Sequence, residues 1–257
     1  MPEFNRVLII GASSGIGKAL AENLLNGGSS VAMVSRRREP MEDIRIKNDE
    51  LRSRGTSISH PYGKAFVYQH DVTDYAKTEA LFQQITGDLG GLDLIIYNSG
   101  VMPSIEEGEY NFTKDKEIIE VNVMGAIAWL NEAAKRFQQT KGGTIVGISS
   151  IAGDRGRRGN PAYCTSKAAI STYLESLRNR LSQYGVKVVT IKPGMIDTDM
   201  SRGKPGLLWL ISADETAKRI IEATRKGKTT AYIPRRWRIV SMILRMIPSF
   251  IFKRLPV

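Results

Sequence analysis

Val7-Leu8-Ile9-Ile10-Gly11-Ala12-Ser13-Ser14-Gly15-Ile16-Gly17 decides how this chain folds. Val7–Ile10 is an unbroken apolar run rich in β-branched residues, which reads as a strand buried on both faces. Glycines at 11, 15 and 17 then permit a tight turn and let the backbone approach a phosphate closely. A helical pattern over Ile16–Asn26 follows, so free N–H groups and a positive dipole end face whatever the turn holds. A glycine-rich turn alone is a weak signal, and a structural turn is its bland reading. Its place between a strand and a helix gives it weight, and it points to the pyrophosphate of a dinucleotide. Gly11, Ser13, Ser14, Gly15, Ile16 and Gly17 are the candidate contacts.

The same rhythm runs on down the chain. Further strands are expected at Val31–Ser35, Ala65–His70, Leu92–Asn98, Thr144–Ser149 and Lys187–Lys192, with a short last one at Tyr232–Pro234. Helical patterns lie near Pro40–Arg54, Asp74–Asp88, Lys114–Gln138, Pro161–Tyr184 and Ala213–Lys226. Strands alternating with helices imply right-handed crossovers. The expectation is an α/β fold: a doubly wound, mostly parallel sheet of about seven strands, with helices on both faces. Residues 1–234 read as one domain, and 235–257 as a basic, apolar tail that is not a domain of its own. Thr56–Lys64 reads as a surface loop.

The chain has 257 residues, 42% of them hydrophobic, enough for a full core without staples. Its one cysteine, Cys164, allows no internal disulfide and reads as a small buried packing residue. Met1-Pro2-Glu3-Phe4-Asn5 runs almost straight into the first strand, leaving no room for a cleaved leader. Both features point to a reducing, cytoplasmic setting. Net charge is +11 and the isoelectric point about 9.8. Nucleic acid, an anionic membrane or a phosphorylated small ligand would each suit that charge. The charge is uneven: Arg235, Arg236, Arg238, Arg245, Lys253 and Arg254 share the tail with no acidic residue.

Tyr163-Cys164-Thr165-Ser166-Lys167 carries the chemistry. A tyrosine and a lysine four apart lie on one helix face. An ammonium beside a phenol favours the phenolate, so the expectation is a tyrosine pKa below ~10. Such a phenol exchanges a proton near neutral pH. The second strand ends at Ser35, followed by Arg36, Arg37 and Arg38, with no carboxylate of the kind that binds an NAD ribose. Arginine there suits a 2′-phosphate, which favours NADP(H) over NAD(H). Arg38 also fits a solvated surface cluster.

These residues resemble the short-chain dehydrogenase/reductase family. Gly11-x-x-x-Gly15-x-Gly17, Asp71-Val72, Asn98-Ser99-Gly100, Asn122, Ser150, Tyr163-x-x-x-Lys167 and Pro193-Gly194 stand in the family's order and spacing, across residues 5 to 233. The resemblance implies a three-layer Rossmann fold and hydride exchange between NAD(P)H and a carbonyl or alcohol. Tyr163 would be the acid/base and Ser150 would hold the substrate oxygen. Lys167 would lower the tyrosine's pKa and hold the nicotinamide ribose. Asn122 would anchor a water in a proton relay. Ser150, not Ser149, has the family's thirteen-residue offset from Tyr163. Asp71 and Val72 would contact adenine; Asn98, Ser99 and Gly100 would line the cofactor; Pro193, Gly194, Ile196 and Thr198 would hold the nicotinamide end. Ile10 and Tyr97-Asn98-Ser99-Gly100 depart from the family's usual threonine and Asn-Asn-Ala-Gly, without touching the catalytic set. The resemblance also implies a homodimer or homotetramer through the helices that carry Asn122 and Tyr163.

His60 and His70 stand apart from any ligand-spaced partner, so no metal site is expected. The resemblance implies a lid over the substrate near 195–212, and Leu207-Leu208-Trp209-Leu210-Ile211 within it suggests an apolar substrate, or else packing into the core or another subunit. Taken as a helix, 235–247 has Arg238, Ser241 and Arg245 on a narrow stripe and apolar residues over most of the rest. Two solutions stay open: peripheral contact with a membrane, with Trp237 and the arginines at headgroup level, or packing on protein. Nucleic acid is not favoured, for want of stacking aromatics and a reader motif. Against the oxidoreductase stand a non-catalytic dinucleotide sensor and a membrane-surface scaffold on the same fold. Neither needs the proton donor this chain keeps.

Overall fold

The computed structural model describes residues 4–53, 63–106, 108–199, 201 and 208–255. In chain order the elements are β1 (Arg6–Ile10), α1 (Gly15–Asn26), β2 (Ser30–Ser35), α2 (Glu39–Ser53), β3 (Ala65–Gln69), α3 (Thr78–Asp88), β4 (Leu94–Tyr97) and α4 (Phe112–Ile119). They continue with α5 (Gly125–Thr140), β5 (Thr144–Ile148), α6 (Pro161–Leu181), β6 (Lys187–Pro193), β7 (Ile196–Asp197), β8 (Ile211–Ser212), α7 (Ala213–Arg225), β9 (Thr230–Ile233), α8 (Trp237–Met246) and α9 (Ser249–Phe252). Seven strands form one sheet in the order β3-β2-β1-β4-β5-β6-β9, and every neighbouring pair is parallel. This is a doubly wound Rossmann-like fold.

Val7–Ile10 of β1 and all of β4 are apolar without a break because both faces of the sheet centre are covered, and the period of two decides which residue faces where. Val7 and Ile9 join Leu20 and Leu24 of α1 and Ile220 of α7 in one core. Leu8 and Ile10 join Phe82 of α3, Trp129 of α5 and Leu174 of α6 in the other. Gly147, in the middle of β5, is where α6 comes closest: a Cβ there would lie 2.3 Å from Leu174 Cδ1.

Three expectations need correction. The single helix over Lys114–Gln138 is two, α4 and α5, joined by a π-helical turn at Glu120–Met124. A wider turn leaves the apolar periodicity nearly intact, so the sequence pattern does not register it. The expected strands Ala65–His70 and Leu92–Asn98 are shorter, Ala65–Gln69 and Leu94–Tyr97. Most of the 56–64 loop, together with His60, lies outside the described residues, as do Met200 and 202–207 of the expected lid. Around the latter, β7 and β8 pair in parallel, Ile196 with Ile211 and Asp197 with Ser212.

The tail packs on the body by one face only. Trp237 and Ser241 are buried, whereas Ile239, Met242, Ile243 and Met246 of α8 are exposed. The third correction concerns Trp237, which one of the two readings of the tail placed at headgroup level. Its indole instead lies against Gly194, where a Cβ would come within 2.0 Å of Nε1. Asp154 holds the inner side. One carboxylate oxygen takes the Lys192 ammonium, and the other accepts from Ser241 and, at 3.0 Å, from Tyr232 Oη. The Arg155 guanidinium donates to the carbonyls of Leu244 and Ile247 and lies 3.9 Å over the Phe252 ring.

Candidate active site

β1 and β4 are neighbours whose crossovers leave in opposite directions, so a crevice opens beyond their carboxyl ends. The backbone is tightly fixed there. Gly11 N donates to Val34 O at 2.8 Å, and Asn98 N and Ser99 N donate to Ile10 O at 2.8 and 2.9 Å. Asn98 Nδ2 donates to Gly11 O at 2.9 Å. Gly11 has φ +91°, and a Cβ on it would stand 2.6 Å from Ser99 N. A cleft of about 730 Å³ opens at this point. Its walls include Gly11, Ser13, Ser14, Gly15, Ile16, Ser35, Arg36, Arg37, Val72, Asn98, Ser99, Gly100, Pro193, Gly194, Ile196 and Thr198. Two of the expected contacts are not in the wall. Gly17 lies behind the turn, where any Cβ would meet Gly11 O at 1.9 Å, so its role is the approach of α1 to β1. Asp71 is held by Thr73, whose N and Oγ1 donate to Oδ1 at 2.9 and 2.8 Å.

One end of the cleft is built for an anion. Ser14 begins α1 without a side-chain cap, and α1 has no acidic residue in its first turn. Arg37 Nη2 donates to Ser14 Oγ at 2.9 Å and to Ser13 Oγ at 3.2 Å; Ser35 Oγ donates to Ser13 Oγ at 2.8 Å. Arg36, in the same wall, has Nη1 4.0 Å from Asp71 Oδ2. A guanidinium over the serines of a glycine turn, beside a helix N-terminus, fits the phosphates of a nicotinamide dinucleotide.

At the other end Ser150, Tyr163 and Lys167 meet in the same wall. Asn160 caps α6 through its side chain, which accepts from Tyr163 N at 2.9 Å, and Pro161 starts the helix. That cap sets where Tyr163 and Lys167 lie on α6. Lys167 is buried, with Nζ 3.1 Å from Ile148 O and 5.6 Å from the centre of the Tyr163 ring. Burial pulls its amine down to about 8. Burial also pushes the Tyr163 phenol up to about 12, against the opposing effects of a hydrogen bond with Ser150 and the charge of Arg157. The expectation of a lowered phenol is therefore corrected. Spacing brings the two groups into one wall, but loss of solvent outweighs the Ser150 hydrogen bond and the Arg157 charge, the effects that pull the phenol down.

Ser149 and Ser150 divide their work. Ser149 Oγ donates to Lys167 O at 2.8 Å and lies 2.7 Å from Ser171 Oγ, inside the fold. Ser150 Oγ is at the cleft and accepts from Ala152 N at 3.1 Å. Asn122 sits in the π-helical turn behind the cleft wall. Its Oδ1 accepts from Val101 N at 2.7 Å, and its Nδ2 donates to Val101 O at 3.0 Å and Ser166 Oγ at 3.1 Å. Gly100 brings it together with the lysine: a Cβ on Gly100 would stand 3.3 Å from Asn122 Oδ1 and 3.4 Å from Lys167 Nζ.

Sequence reasoning missed Arg157, Asn160, Met195 and His70, all of which line the cleft. Asn160-Pro161 was legible as a helix start. Arg157 and Met195 carry no local signal. His70 has a buried, unpartnered Nε2, and its ring lies edge-on to Trp129 at 5.5 Å. Cys164 is buried.

A family model described as short chain dehydrogenase matches residues 5–205. The chain belongs to the short-chain dehydrogenase family. It is similar to an uncharacterized oxidoreductase of Myxococcus xanthus, 29% identical over 250 residues, covering 97% of this chain and 95% of the relative. Among solved structures, a short-chain type dehydrogenase/reductase from Mycobacterium marinum superposes with a TM-score of 0.77 at 25% identity, covering 89% of this chain and 92% of that one. ElxO with NADP bound superposes with a TM-score of 0.74 at 24% identity, covering 90% and 97%. As a short-chain dehydrogenase the protein is an oxidoreductase of a family that uses NAD(P).

Proposed function

We propose that this short-chain dehydrogenase is an NADP(H)-dependent carbonyl reductase acting on an apolar ketone or aldehyde, and in reverse an alcohol dehydrogenase. One observation carries the reading. A phenol, a serine and a buried ammonium converge in one wall of a cleft whose other end presents Arg37 and a glycine turn to an anion. Bound NADPH would supply a hydride to the carbonyl carbon. The rest of the chemistry falls to the chain. Ser150 Oγ and the Tyr163 hydroxyl hold the substrate oxygen. Tyr163 donates its proton as negative charge develops there. A phenol held at about 12 keeps that proton throughout the neutral range, which is the form a donor needs. Lys167, fixed at Ile148 O, stabilises the phenolate left behind. Asn122, packed beside the lysine, continues the proton's route inward. Arg37 and the serines around it bind the 2′-phosphate side; Val72, Asn98, Ser99 and Gly100 flank the adenine and ribose, with Asp71 fixing the turn after Val72 through Thr73; Pro193, Gly194, Ile196 and Thr198 bind the nicotinamide end.

In this reading residues 1–234 are the catalytic domain, 195–212 covers the substrate, and the protein works as a homodimer or homotetramer in the cytoplasm. The tail, 235–257, touches a membrane surface. Support for an apolar substrate comes from Met102, Val121, Ile151 and Met195 in the cleft wall. The test is NADPH oxidation against a panel of ketones and aldehydes with the Tyr163→Phe variant. We expect turnover to fall by about 10²–10⁴-fold while NADPH binding, followed by fluorescence, stays unchanged. Near-normal turnover would sink the assignment.

A further inference from the structure

We propose that the outward face of α8 and α9, together with Leu208, Trp209 and Leu210, is a seat for an anionic lipid surface, and that the enzyme draws its apolar substrate from that surface. The second half rests on the reductase reading; the first stands on geometry and charge. Ile239, Met242, Ile243, Met246, Phe250 and Ile251 are each between 42% and 75% exposed, on a tail whose inner side is committed to Asp154, Arg155 and Gly194. A helix that is apolar on the side away from the body needs a partner on that side.

Charge identifies the partner. The tail's six cations stand with no acidic residue, and all six are exposed. On α8, Arg238 and Arg245 run along the flank between the buried and the exposed apolar faces. Arg235 and Arg236 precede the helix, and Lys253 and Arg254 follow α9. Apolar side chains rimmed by cations match acyl chains beneath anionic headgroups. A second copy docked about a two-fold axis would instead set this cationic patch against itself. Spanning is not the mode, since no helix among the described residues is long and apolar enough to cross a membrane.

The seat is joined to the cleft by direct packing. Leu208, Trp209 and Leu210 are exposed, and Trp209 meets Trp237 edge-on at 5.2 Å, with the Arg236 guanidinium 4.7 Å from its ring. Trp209 has φ +56°, an uncommon conformation for a bulky residue, and these two contacts hold it there. Trp237 in turn lies on Gly194, which lines the cleft. On the other side, Arg155 grips α8 two residues before the cleft residue Arg157. A greasy substrate dissolved in the bilayer thus reaches the cleft without crossing bulk water.

The test uses the full chain, its Met242→Asp/Met246→Asp double variant, and vesicles of phosphatidylcholine alone or mixed with phosphatidylglycerol. Wild type should float with the mixed vesicles and bind the neutral ones at least about tenfold more weakly. The double variant should lose about tenfold or more of the binding to mixed vesicles, with an unchanged melting temperature and unchanged NADPH oxidation on a water-soluble ketone. Activity on an apolar ketone dissolved in mixed vesicles should fall in parallel. Equal flotation of both proteins overturns the seat, as does absence of wild-type binding. So does a wild-type dimer in sedimentation velocity that the double variant abolishes, which would assign the face to a second copy. Flotation without activity on any carbonyl would remove the reductase reading and the substrate route while leaving the lipid seat standing. Parallel activity losses on soluble and vesicle-borne ketones would overturn the route alone.

Discussion

Arg36 and Arg37 are adjacent in sequence, line the same cleft and take different partners. Arg37 lies across Ser13 and Ser14, within the wall that would meet a 2′-phosphate; Arg36 is drawn toward Asp71. A charge-assisted hydrogen bond contributes roughly 1.5–3 kcal/mol, so losing one costs about tenfold or more in affinity. Arg37→Asp should raise KM for NADPH by at least about tenfold and leave that for NADH nearly unchanged. Arg36→Asp should do less. Steady-state KM values for the two cofactors decide it, and an unchanged preference in Arg37→Asp would remove this residue from the phosphate site. The run of arginines was legible in the sequence; which one reaches the serines of the glycine turn was not, because strand-end geometry aims each side chain. Tyr163 and Lys167 teach the same lesson. Four-residue spacing was enough to bring them together, but the direction of the phenol's shift depends on how much solvent the fold removes.

At the scale of elements, β1, α1 and α6 follow their local signals closely, since strand runs, glycine turn and Asn-Pro start all agree. The π-helical turn does not, and it is the element that aims Asn122 at Val101 and Ser166. α8 is the second departure. Its Ser241 was expected on a cationic stripe and is buried against Asp154, whose carboxylate ties the loop after Ser150 to β6, β9 and the tail. The Asp154 side chain is 4% exposed and that of Lys192 12%. Asp154→Ala would leave a buried cation and two hydroxyls without their acceptor, costing about 3–5 kcal/mol. The expected result is a Tm lower by roughly 10 °C and faster tryptic cleavage within 235–257. An unchanged melt with an intact tail would show that the carboxylate does not hold α8.

For the whole molecule, Lys167 links the cleft to folding. Its folded value of about 8 lies below the 10.5 of a free lysine. Between those values the unfolded chain carries a proton that the folded chain has released, so stability should rise with pH across that window. The increment is on the order of 3 kcal/mol at most. Urea unfolding of wild type and Lys167→Met across pH 8 to 10 isolates it, because the other titrating groups cancel in the difference. Equal pH slopes would mean that the ammonium is solvated in the native state.

The sequence by itself determined the parallel sheet and its order of elements, because uninterrupted apolar runs have to be covered on both faces and the crossovers have one hand. It also determined which residues could carry proton transfer and phosphate binding, since only certain side chains at certain spacings can. Tertiary structure alone decided the rest. It set Arg37 over the serines, spent Ser149 in the interior and left Ser150 at the cleft. It reversed the shift of Tyr163 through burial and folded the tail so that Trp237 lies against Gly194 in the cleft wall. Each of those outcomes depends on contacts between residues far apart in the chain and on the solvent they exclude, and neither quantity is carried by local spacing.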